Sequence, residues 1–349
     1  MKEKFLRELA DIQTGPFGSQ LHKEDYVADG TPIVTVEHLG NKMFSEQNLP
    51  RVSNTDKNRL KKYVFSRVGS VDRCSYVDQK HDGWMFSGRC LRVRPTSEID
   101  SEYLYYYFCL EETKQFVRNI AVGATMPSIN TKLLGEVVVT FPELEQQKRI
   151  SGILSAIDSK IEVNQKINDN LYDLVNTLYT KLFKDTDCEM TTVEDYVDCI
   201  YSGGTPATSN MAYWNGNLNW LSSGETRNRF VISTEKTITQ LGADNSSTKS
   251  AQKYDIVIAS AGQGFTRGQT SMLLLNTYIN QSVIVLHAKK TVLPYLFWNL
   301  TNRYDDLRAI SDSSSIRGSL TTKMLSKLKI PKVEDSLILK FSEYAWSII

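Results

Sequence analysis

The chain has 349 residues, 41% of them hydrophobic, enough for about two domains of ~150 residues with cores, which excludes wholesale disorder. Its net charge of +1 excludes a basic excess over the whole chain, so any surface that contacts nucleic acid must be local. Five cysteines without a CxxC pair disfavour a disulfide framework or a zinc ribbon, and no apolar run reaches the ~18 residues of a membrane span. Because the charged N-terminal segment lacks the apolar core of a signal peptide, we predict a cytoplasmic protein.

Residues 1–142 have the pattern of a mixed α+β domain. Runs rich in β-forming residues precede two helical stretches and a short strand, and Pro142 ends the segment. The early turn Thr14–Ser19 contains glycines, which let backbone N–H groups approach a phosphate closely, although an ordinary tight turn has the same composition. The predicted strands are Ile33–Val36, Tyr63–Ser66, Cys90–Val93 and Glu136–Thr140, and the predicted helices are Ser101–Asn119 and Thr131–Gly135.

A long helix is predicted from about Glu143 to Phe183. The stretch contains no proline, and its seam residues are spaced alternately three and four apart, which indicates a coiled coil and leaves a plain amphipathic core helix as the alternative. Its 41 residues would extend ~60 Å, too long for the interior of one small domain. The two asparagines of the seam favour a partner of defined register. The seam consists of Leu154, Ile157, Ile161, Asn164, Asn168, Leu171, Val175, Leu178 and Leu182.

Residues 184–331 repeat the first segment at an offset of about 190 residues. Leu6–Ile12 corresponds to Val193–Cys199, and Ser128–Leu134 corresponds to Ser319–Leu325. Three further blocks match in the same order, so we predict two copies of one domain type. In the second copy, the predicted strands are Ile256–Ala259, Ser282–Leu286 and Lys327–Ile330, and the predicted helices are Pro294–Ile310 and Thr321–Ser326.

The predicted fold class is therefore α+β, with two similar domains separated by a long coiled-coil helix and with the start of a second helix at the C-terminus. The predicted boundaries are 1–142 for the first domain, 143–183 for the helix, 184–331 for the second domain and 332–349 for the short distal helix.

This order of segments resembles the specificity subunit of Type I restriction-modification systems. The central helix, FPELEQQKRISGILSAIDSKIEVNQKINDNLYDLVNTLYTKLF, carries the most specific likeness. The stretches GSQLHKEDYVADGTPIVTVEHLG and TRGQTSMLLLNTYINQSVIVL resemble a common version of that family's target recognition domain. The chain departs from the usual pattern at the distal helix, because only 15 residues follow Glu334.

The resemblance implies a non-catalytic subunit whose two target recognition domains each bind one half of a bipartite sequence in double-stranded DNA. The central helix would set the spacer between the halves, and its seam would bind two methyltransferase subunits. Those subunits would bring S-adenosylmethionine for adenine methylation, so no cofactor is expected on this chain. Translocase and restriction subunits would join through them. Two alternatives stay open: a coiled-coil scaffold with two protein-binding domains, and a truncated specificity subunit that acts as a dimer because its distal helix is short.

Basic residues in the first segment are clustered. Residues 51–73 contain seven basic residues and only two acidic ones, and Arg89, Arg92 and Arg94 form a second cluster. Lysine and arginine contacts to phosphates supply affinity for DNA, although a solvated charged surface has the same composition. The candidate DNA contacts of this segment are Thr14, Gly15, Ser19, Lys62, Arg67, Arg73, Arg89, Thr125, Asn130 and Lys132.

The second segment offers a glycine-rich loop at 261–269 with Gln263 and Arg267, whose side chains suit adenine and guanine edges. Polar stretches before the short helices of both segments offer further phosphate contacts, although N-capping by Ser128 or Ser319 explains them equally well. The candidate DNA contacts of this segment are Ser202, Gly204, Thr205, Gln263, Arg267, Gln281, Arg317, Ser319 and Lys323.

The chain offers no convincing set of catalytic residues. The four histidines form no HxH or HExxH pair, no serine lies in a GxSxG turn, and the glycine-rich loop lacks the GK[ST] of a phosphate-binding loop. The sequence therefore predicts no catalytic and no metal-binding residue.

Overall fold

The structure, a computed structural model, combines helices and strands and confirms the predicted α+β class. The chain forms two compact units, Met1–Gln165 (unit 1) and Lys166–Ile349 (unit 2). The predicted strand Tyr63–Ser66 lies outside the described residues. The structure describes residues 1–15, 26–43, 46, 48–53, 70–123, 125–183, 189–262, 264–312 and 318–349.

The described part of unit 1 combines a run of strands with a later run of helices. Its strands are β1 Lys2–Phe5, β2 Ala10–Thr14, β3 Tyr26–Val34, β4 Arg51–Val52, β5 Met85–Phe86, β6 Leu91–Pro95 and β7 Val138–Phe141. Its helices are α1 Leu6–Leu9, α2 Ser101–Cys109, α3 Glu111–Ile120 and α4 Thr131–Gly135, and helix α5 Leu144–Phe183 begins in this unit. Among the described residues β1 pairs with β7 and β2 with β6, both antiparallel, and β3 lies between β4 and β5.

Helices α1 to α4 each contribute apolar side chains to the core of unit 1. Asp100 starts α2 by accepting a hydrogen bond from the Tyr103 amide at 2.9 Å, and acidic residues open α3, where they favour the positive end of the helix dipole. The buried side chains include Leu6, Leu9, Leu91, Leu104, Phe108, Val117, Ile129, Leu134 and Phe141.

Among the described residues, unit 2 contains more strands than unit 1. Its strands are β8 Met190–Thr192, β9 Cys199–Ser202, β10 Trp214–Leu221, β11 Phe230–Val231, β12 Lys236–Ile238, β13 Lys249–Ala251, β14 Ile256–Ala259, β15 Thr270–Leu273, β16 Thr277–Ile279, β17 Val283–His287 and β18 Lys329–Pro331. Its helices are the end of α5, then α6 Gln240–Asp244, α7 Leu293–Thr301, α8 Tyr304–Asp312, α9 Thr322–Ser326 and α10 Asp335–Trp346.

The strands of unit 2 form one sheet of order β11-β15-β14-β17-β9, a second of order β12-β10-β16-β13, and the pair β8-β18. All residues of β14 and β15 are buried, as expected for strands covered on both faces. Helix α7 is buried along almost its whole length, and it packs with α10 and with the end of α5 in one aromatic core.

The two units repeat the same order of parts. In each, the first strand pairs with a late strand (β1 with β7, β8 with β18), and the second strand pairs with the strand before the helix pair (β2 with β6, β9 with β17). Two helices and one short helix follow, α2, α3 and α4 in unit 1 and α7, α8 and α9 in unit 2. The correspondence agrees with the sequence repeat.

In the structure, two of the predicted helices are each divided into two shorter helices. Ser101–Asn119 divides into α2 and α3 because Leu110 between them adopts an extended conformation (φ −62°, ψ 133°). Pro294–Ile310 likewise divides into α7 and α8 around Asn302 and Arg303. A break of one or two residues leaves the apolar spacing on both sides intact, so periodicity alone did not detect it.

Candidate nucleic-acid interface

Three loops of unit 2 meet at one edge of the sheet that contains β14. Strands β9 and β14 end at this edge, and β17 begins there, since Ser202 pairs with Ile284 and Ala259 pairs with Val283. The edge therefore brings together the loop after β9, the loop between β14 and β15, and the turn before β17. Within it, the Thr205 hydroxyl donates a hydrogen bond to Gln281 Oε1 at 2.5 Å. The predicted contacts Ser202, Gly204, Thr205 and Gln281 are thus neighbours.

Two of the glycines in the predicted phosphate-binding turns, Gly15 and Gly204, are closely packed, and their amides donate within the chain, so these two N–H groups are not free for a phosphate as expected. The Gly204 amide donates to the Ile279 carbonyl at 3.2 Å, and a Cβ at Gly204 would lie 2.0 Å from Ser247 Oγ. In unit 1 the Gly15 amide donates to the Cys90 carbonyl at 3.2 Å, and a Cβ there would lie 2.3 Å from the Ser87 carbonyl oxygen. Any side chain at Gly15 or Gly204 would therefore clash with neighbouring atoms.

Arg267 holds the glycine-rich loop in place. Its side chain is 12% exposed, forms an ion pair with Asp312, and donates from Nη1 to the Gly318 carbonyl at 2.9 Å. The guanidinium group thus lies against α8 and the segment before α9, which differs from the surface position expected of a base-contacting arginine. Gln263 and Arg317, the other candidates near it, lie outside the described residues.

The short helices α4 and α9 are capped by Asn130 and Thr321, and not by the serines expected as caps. Asn130 Oδ1 accepts from the Leu133 amide at 2.9 Å, and Thr321 Oγ1 accepts from the Met324 amide at 3.2 Å. Ser128 and Ser319 lie two residues earlier. The Leu320 amide donates to the Ser260 carbonyl at 2.9 Å, which joins the approach to α9 to the edge of the sheet. Helix α9 packs against β9 as α4 packs against β2, so Lys132 and Lys323, both exposed, occupy matching positions.

We expect Asn130→Ala to lower the free energy of unfolding by about 1 kcal/mol, because the first turn of α4 loses its cap. Chemical denaturation measures this loss. Lys132→Ala, which changes an exposed neighbour outside the cap, is the control and should leave stability within about 0.5 kcal/mol. An Asn130→Ala variant with unchanged stability and weakened DNA binding would instead identify Asn130 as a direct DNA contact.

The candidates of unit 1 are gathered less tightly. Thr14 pairs with Leu91, so Thr14, Gly15 and the exposed Arg89 lie at one end of the β2–β6 pair, the end that matches the sheet edge of unit 2. Arg92 of the predicted cluster is 2% exposed and forms an ion pair with Asp11. The exposed candidates Arg73 and Thr125 lie in loops, and Ser19, Lys62 and Arg67 lie outside the described residues.

The first part of helix α5 packs within unit 1 through a polar face, which was not predicted from the sequence. Gln147 is fully buried and accepts a hydrogen bond from the Asp100 amide at 2.8 Å. Ser151 donates to Asp100 at 2.9 Å and Ser155 to Glu102 at 3.1 Å. Asp158 accepts from Tyr106 at 2.6 Å. Their spacing of four, four and three residues puts them on one face, the only signal in the sequence that could have revealed it.

A partly buried lysine, Lys42, completes this contact. Lys42 Nζ donates to Glu102 at 2.8 Å, to Ser155 at 2.8 Å and to Tyr106 at 3.0 Å. Although burial lowers the pKa of Lys42, its hydrogen bonds to Glu102 and Tyr106 outweigh that effect and raise the pKa above the usual range for lysine. The lysine therefore stays charged and joins the loop before β4 to α2 and α5.

The apolar seam of α5 divides into two parts. Its end packs within unit 2, where Val175 is fully buried and Leu178 and Leu182 are partly buried in the aromatic core. These three residues therefore pack within this chain, contrary to the prediction that the whole seam is available to partners. In unit 1, by contrast, Ile157 and Ile161 are about half exposed, at 52% and 49%. Asn164 and Asn168 are exposed, and Leu154 and Leu171 are partly buried.

Within the described ranges, no group of three or more His, Cys, Asp or Glu residues could hold a metal ion. Among the same residues, no helix combines the length and apolar character needed to cross a membrane.

Comparison with known proteins finds one family for both units. The family profile Methylase_S, described as the Type I restriction modification DNA specificity domain, matches residues 1–172 and 186–340. The crystal structure of a Type I restriction-modification S subunit from M. genitalium has the same fold, with a TM-score of 0.63 at 16% identity. That match covers 99% of this chain and 88% of the other chain.

Curated relatives match over shorter stretches. The Type I restriction enzyme HindI specificity subunit of Haemophilus influenzae is 28% identical over 164 residues, which are 44% of this chain and 36% of that protein. The MjaIX specificity subunit of Methanocaldococcus jannaschii is 33% identical over 93 residues, which are 27% of this chain and 22% of that protein. The chain thus spans less than half the length of these relatives.

Proposed function

Because the chain belongs to the family of Type I restriction modification DNA specificity domains, we propose that it is the DNA-recognition subunit of a Type I restriction-modification complex. Residues 1–142 and 184–331 each bind one half of a bipartite target, and helix 143–183 sets the distance between the halves. The chain itself is non-catalytic. Methyltransferase subunits that carry S-adenosylmethionine bind to the helix, and translocase and restriction subunits join through them.

The observation that carries this proposal is a repeated scaffold with different residues at the matching edge. Thr14 and Arg89 lie at that edge in unit 1, and Ser202, Thr205 and Gln281 lie there in unit 2. Base edges are distinguished by the donors and acceptors that side chains present, so two similar domains with different loop residues recognise two different half-sites.

The exposed part of the helix seam supports the binding of partner subunits. The polar face of α5 is used within unit 1. On another face, the seam residues Ile157 and Ile161 and the neighbouring Ile153, which is outside the seam, are 49–57% exposed. Burying such side chains in an interface is favourable at roughly 25 cal/mol per Å² of apolar surface. A helix that keeps its apolar face exposed is suited to a second protein.

Methylome sequencing of a host that carries this chain with its methyltransferase tests the function. We expect one bipartite motif of methylated adenines, and exchange of residues 1–142 for those of another family member should change one half of it only. A motif that changes in both halves would refute the assignment of one half-site to each domain.

The scaffold alternative predicts a different outcome. A protein-binding scaffold produces no methylation motif, and affinity for duplex DNA in the assembled complex would not fall steeply with salt. DNA recognition requires that fall, because each neutralised phosphate releases counterions.

A further inference from the structure

An aromatic side chain in unit 2 is exposed at the sheet edge described above. Phe265, in the loop between β14 and β15, is 82% exposed. Among the residues that the structure describes, the other strongly exposed aromatic side chains reach at most 41%. Complete burial of a phenylalanine is worth about 1.5–3 kcal/mol, so this position gives up a sizeable stabilisation in the free chain.

The backbone under Phe265 is held firmly. The Tyr304 hydroxyl donates to the Phe265 carbonyl at 2.8 Å, and Arg308 Nη1 donates to the Gly264 carbonyl at 2.5 Å. The Gln269 amide closes a turn on the Thr266 carbonyl at 3.1 Å. Both anchors come from α8, which packs in the core of unit 2 through the fully buried Leu307. The ring is thus presented on a fixed backbone.

Glycines shape the loop around this residue. Gly262, Gly264 and Gly268 have positive φ angles of 146°, 62° and 86°, which L-residues with side chains rarely adopt. Arg267 ties the far side of the loop to Asp312 and Gly318. Three such backbone positions and three side-chain anchors restrict the described residues of this loop, and the large apolar ring of Phe265 faces solvent.

We propose that Phe265 is an apolar wedge that inserts between stacked bases of the half-site bound by unit 2. The inference rests on the proposed function, since it takes duplex DNA as the ligand at this edge. Phenylalanine is among the side chains that enter base steps in DNA-bending proteins, where the ring replaces the base stacking that is lost. The wedge adds specificity through the sequence-dependent cost of opening a base step, without a hydrogen bond to any base.

The test uses the full chain co-purified with its methyltransferase subunits, on duplexes that carry the motif found by methylome sequencing. Phe265→Ala should weaken specific binding about 10-fold, within the range for loss of one aromatic–base contact. Phe265→Trp should restore most of the affinity. Because a phenyl ring neutralises no phosphate, Phe265→Ala should leave the salt dependence of binding unchanged, whereas Lys323→Ala, the phosphate control, should reduce the slope by about one.

Fluorescence of 2-aminopurine locates the wedge. The probe is placed in turn at each position of this half-site except the methylated adenine, because the methyltransferase itself displaces that base. The wild-type complex should increase the emission at one step, and Phe265→Ala should abolish this increase.

Three outcomes overturn the proposal. If the wild-type complex binds its motif and Phe265→Ala binds equally well, Phe265 is no wedge, and the proposed function stands. If Phe265→Ala weakens co-purification with methyltransferase instead of DNA binding, the ring contacts protein. If the wild-type complex neither methylates nor binds DNA specifically, the proposed function fails together with the wedge.

Discussion

Replacing Ile157 and Ile161 together with glutamate should abolish co-purification of this chain with its methyltransferase subunits. Both side chains are about half exposed on one face of α5, and the proposed interface buries them. An unpaired carboxylate buried in an apolar contact costs at least about 2 kcal/mol, so the double substitution should weaken binding by about 1,000-fold. Size-exclusion chromatography of co-expressed subunits measures the loss.

A matched control separates binding from folding. Ser159 is exposed on the same stretch of α5 and lies away from this face, so Ser159→Glu adds a similar charge without entering the interface. The double variant should keep its helical circular dichroism, because neither isoleucine packs in the core of unit 1. Stable co-purification of the Ile157→Glu/Ile161→Glu chain would show that the methyltransferase binds elsewhere.

Truncation of Phe341 to alanine should lower the free energy of unfolding of unit 2 by about 3–5 kcal/mol, because it removes a ring from a packed core. Phe341 is 1% exposed and contacts the rings of Tyr179, Phe183 and Trp298, with centroids 5.4–5.9 Å apart. The ring joins α10 to α5 and α7, so its loss loosens three helices at once. Urea unfolding followed by tryptophan fluorescence measures the change, since Trp298 lies beside the cavity.

Tyr344 provides the comparison for Phe341. It lies on the same helix and is 39% exposed, so Tyr344→Ala should cost less than about 1 kcal/mol. Similar losses for the two variants would mean that α10 contributes to stability as a whole and that the aromatic core has no special part in it.

The repeat and the long helix could be predicted from the sequence because each depends on patterns of neighbouring residues. The repeat follows from short matching blocks, and the helix follows from its apolar spacing. Heptad spacing predicted a helix from about Glu143, and the observed helix is Leu144–Phe183. Strand Ile256–Ala259 was predicted with its observed bounds, because a buried strand in this sheet is apolar throughout. The cap of α4 was predicted wrongly because Asn130 and Ser128 are both good cap residues. Only the backbone geometry shows that Asn130 accepts the hydrogen bond from the Leu133 amide.

Which face of α5 packs within the chain could not be predicted from its periodicity. The seam looks uniform from Leu154 to Leu182, yet its end lies in the core of unit 2 while Ile157 and Ile161 remain exposed. The reason is that hydrogen bonds between Asp100 and the helix residues Gln147 and Ser151 hold α5 in unit 1, and such bonds depend on partners that are distant in sequence.

The candidate DNA contacts show the same division. Composition and motif order alone were enough to identify two similar α+β domains around a helix, since apolar periodicity and turn residues act over a few positions. Only the tertiary structure shows that Ser202, Thr205 and Gln281 are neighbours, because strand pairing brings them together. It also shows that Arg267 forms an ion pair with Asp312 that holds its own loop in place. Thr205 and Gln281 are 76 residues apart in the chain, and only the pairing of β9, β14 and β17 brings them to one edge of the sheet.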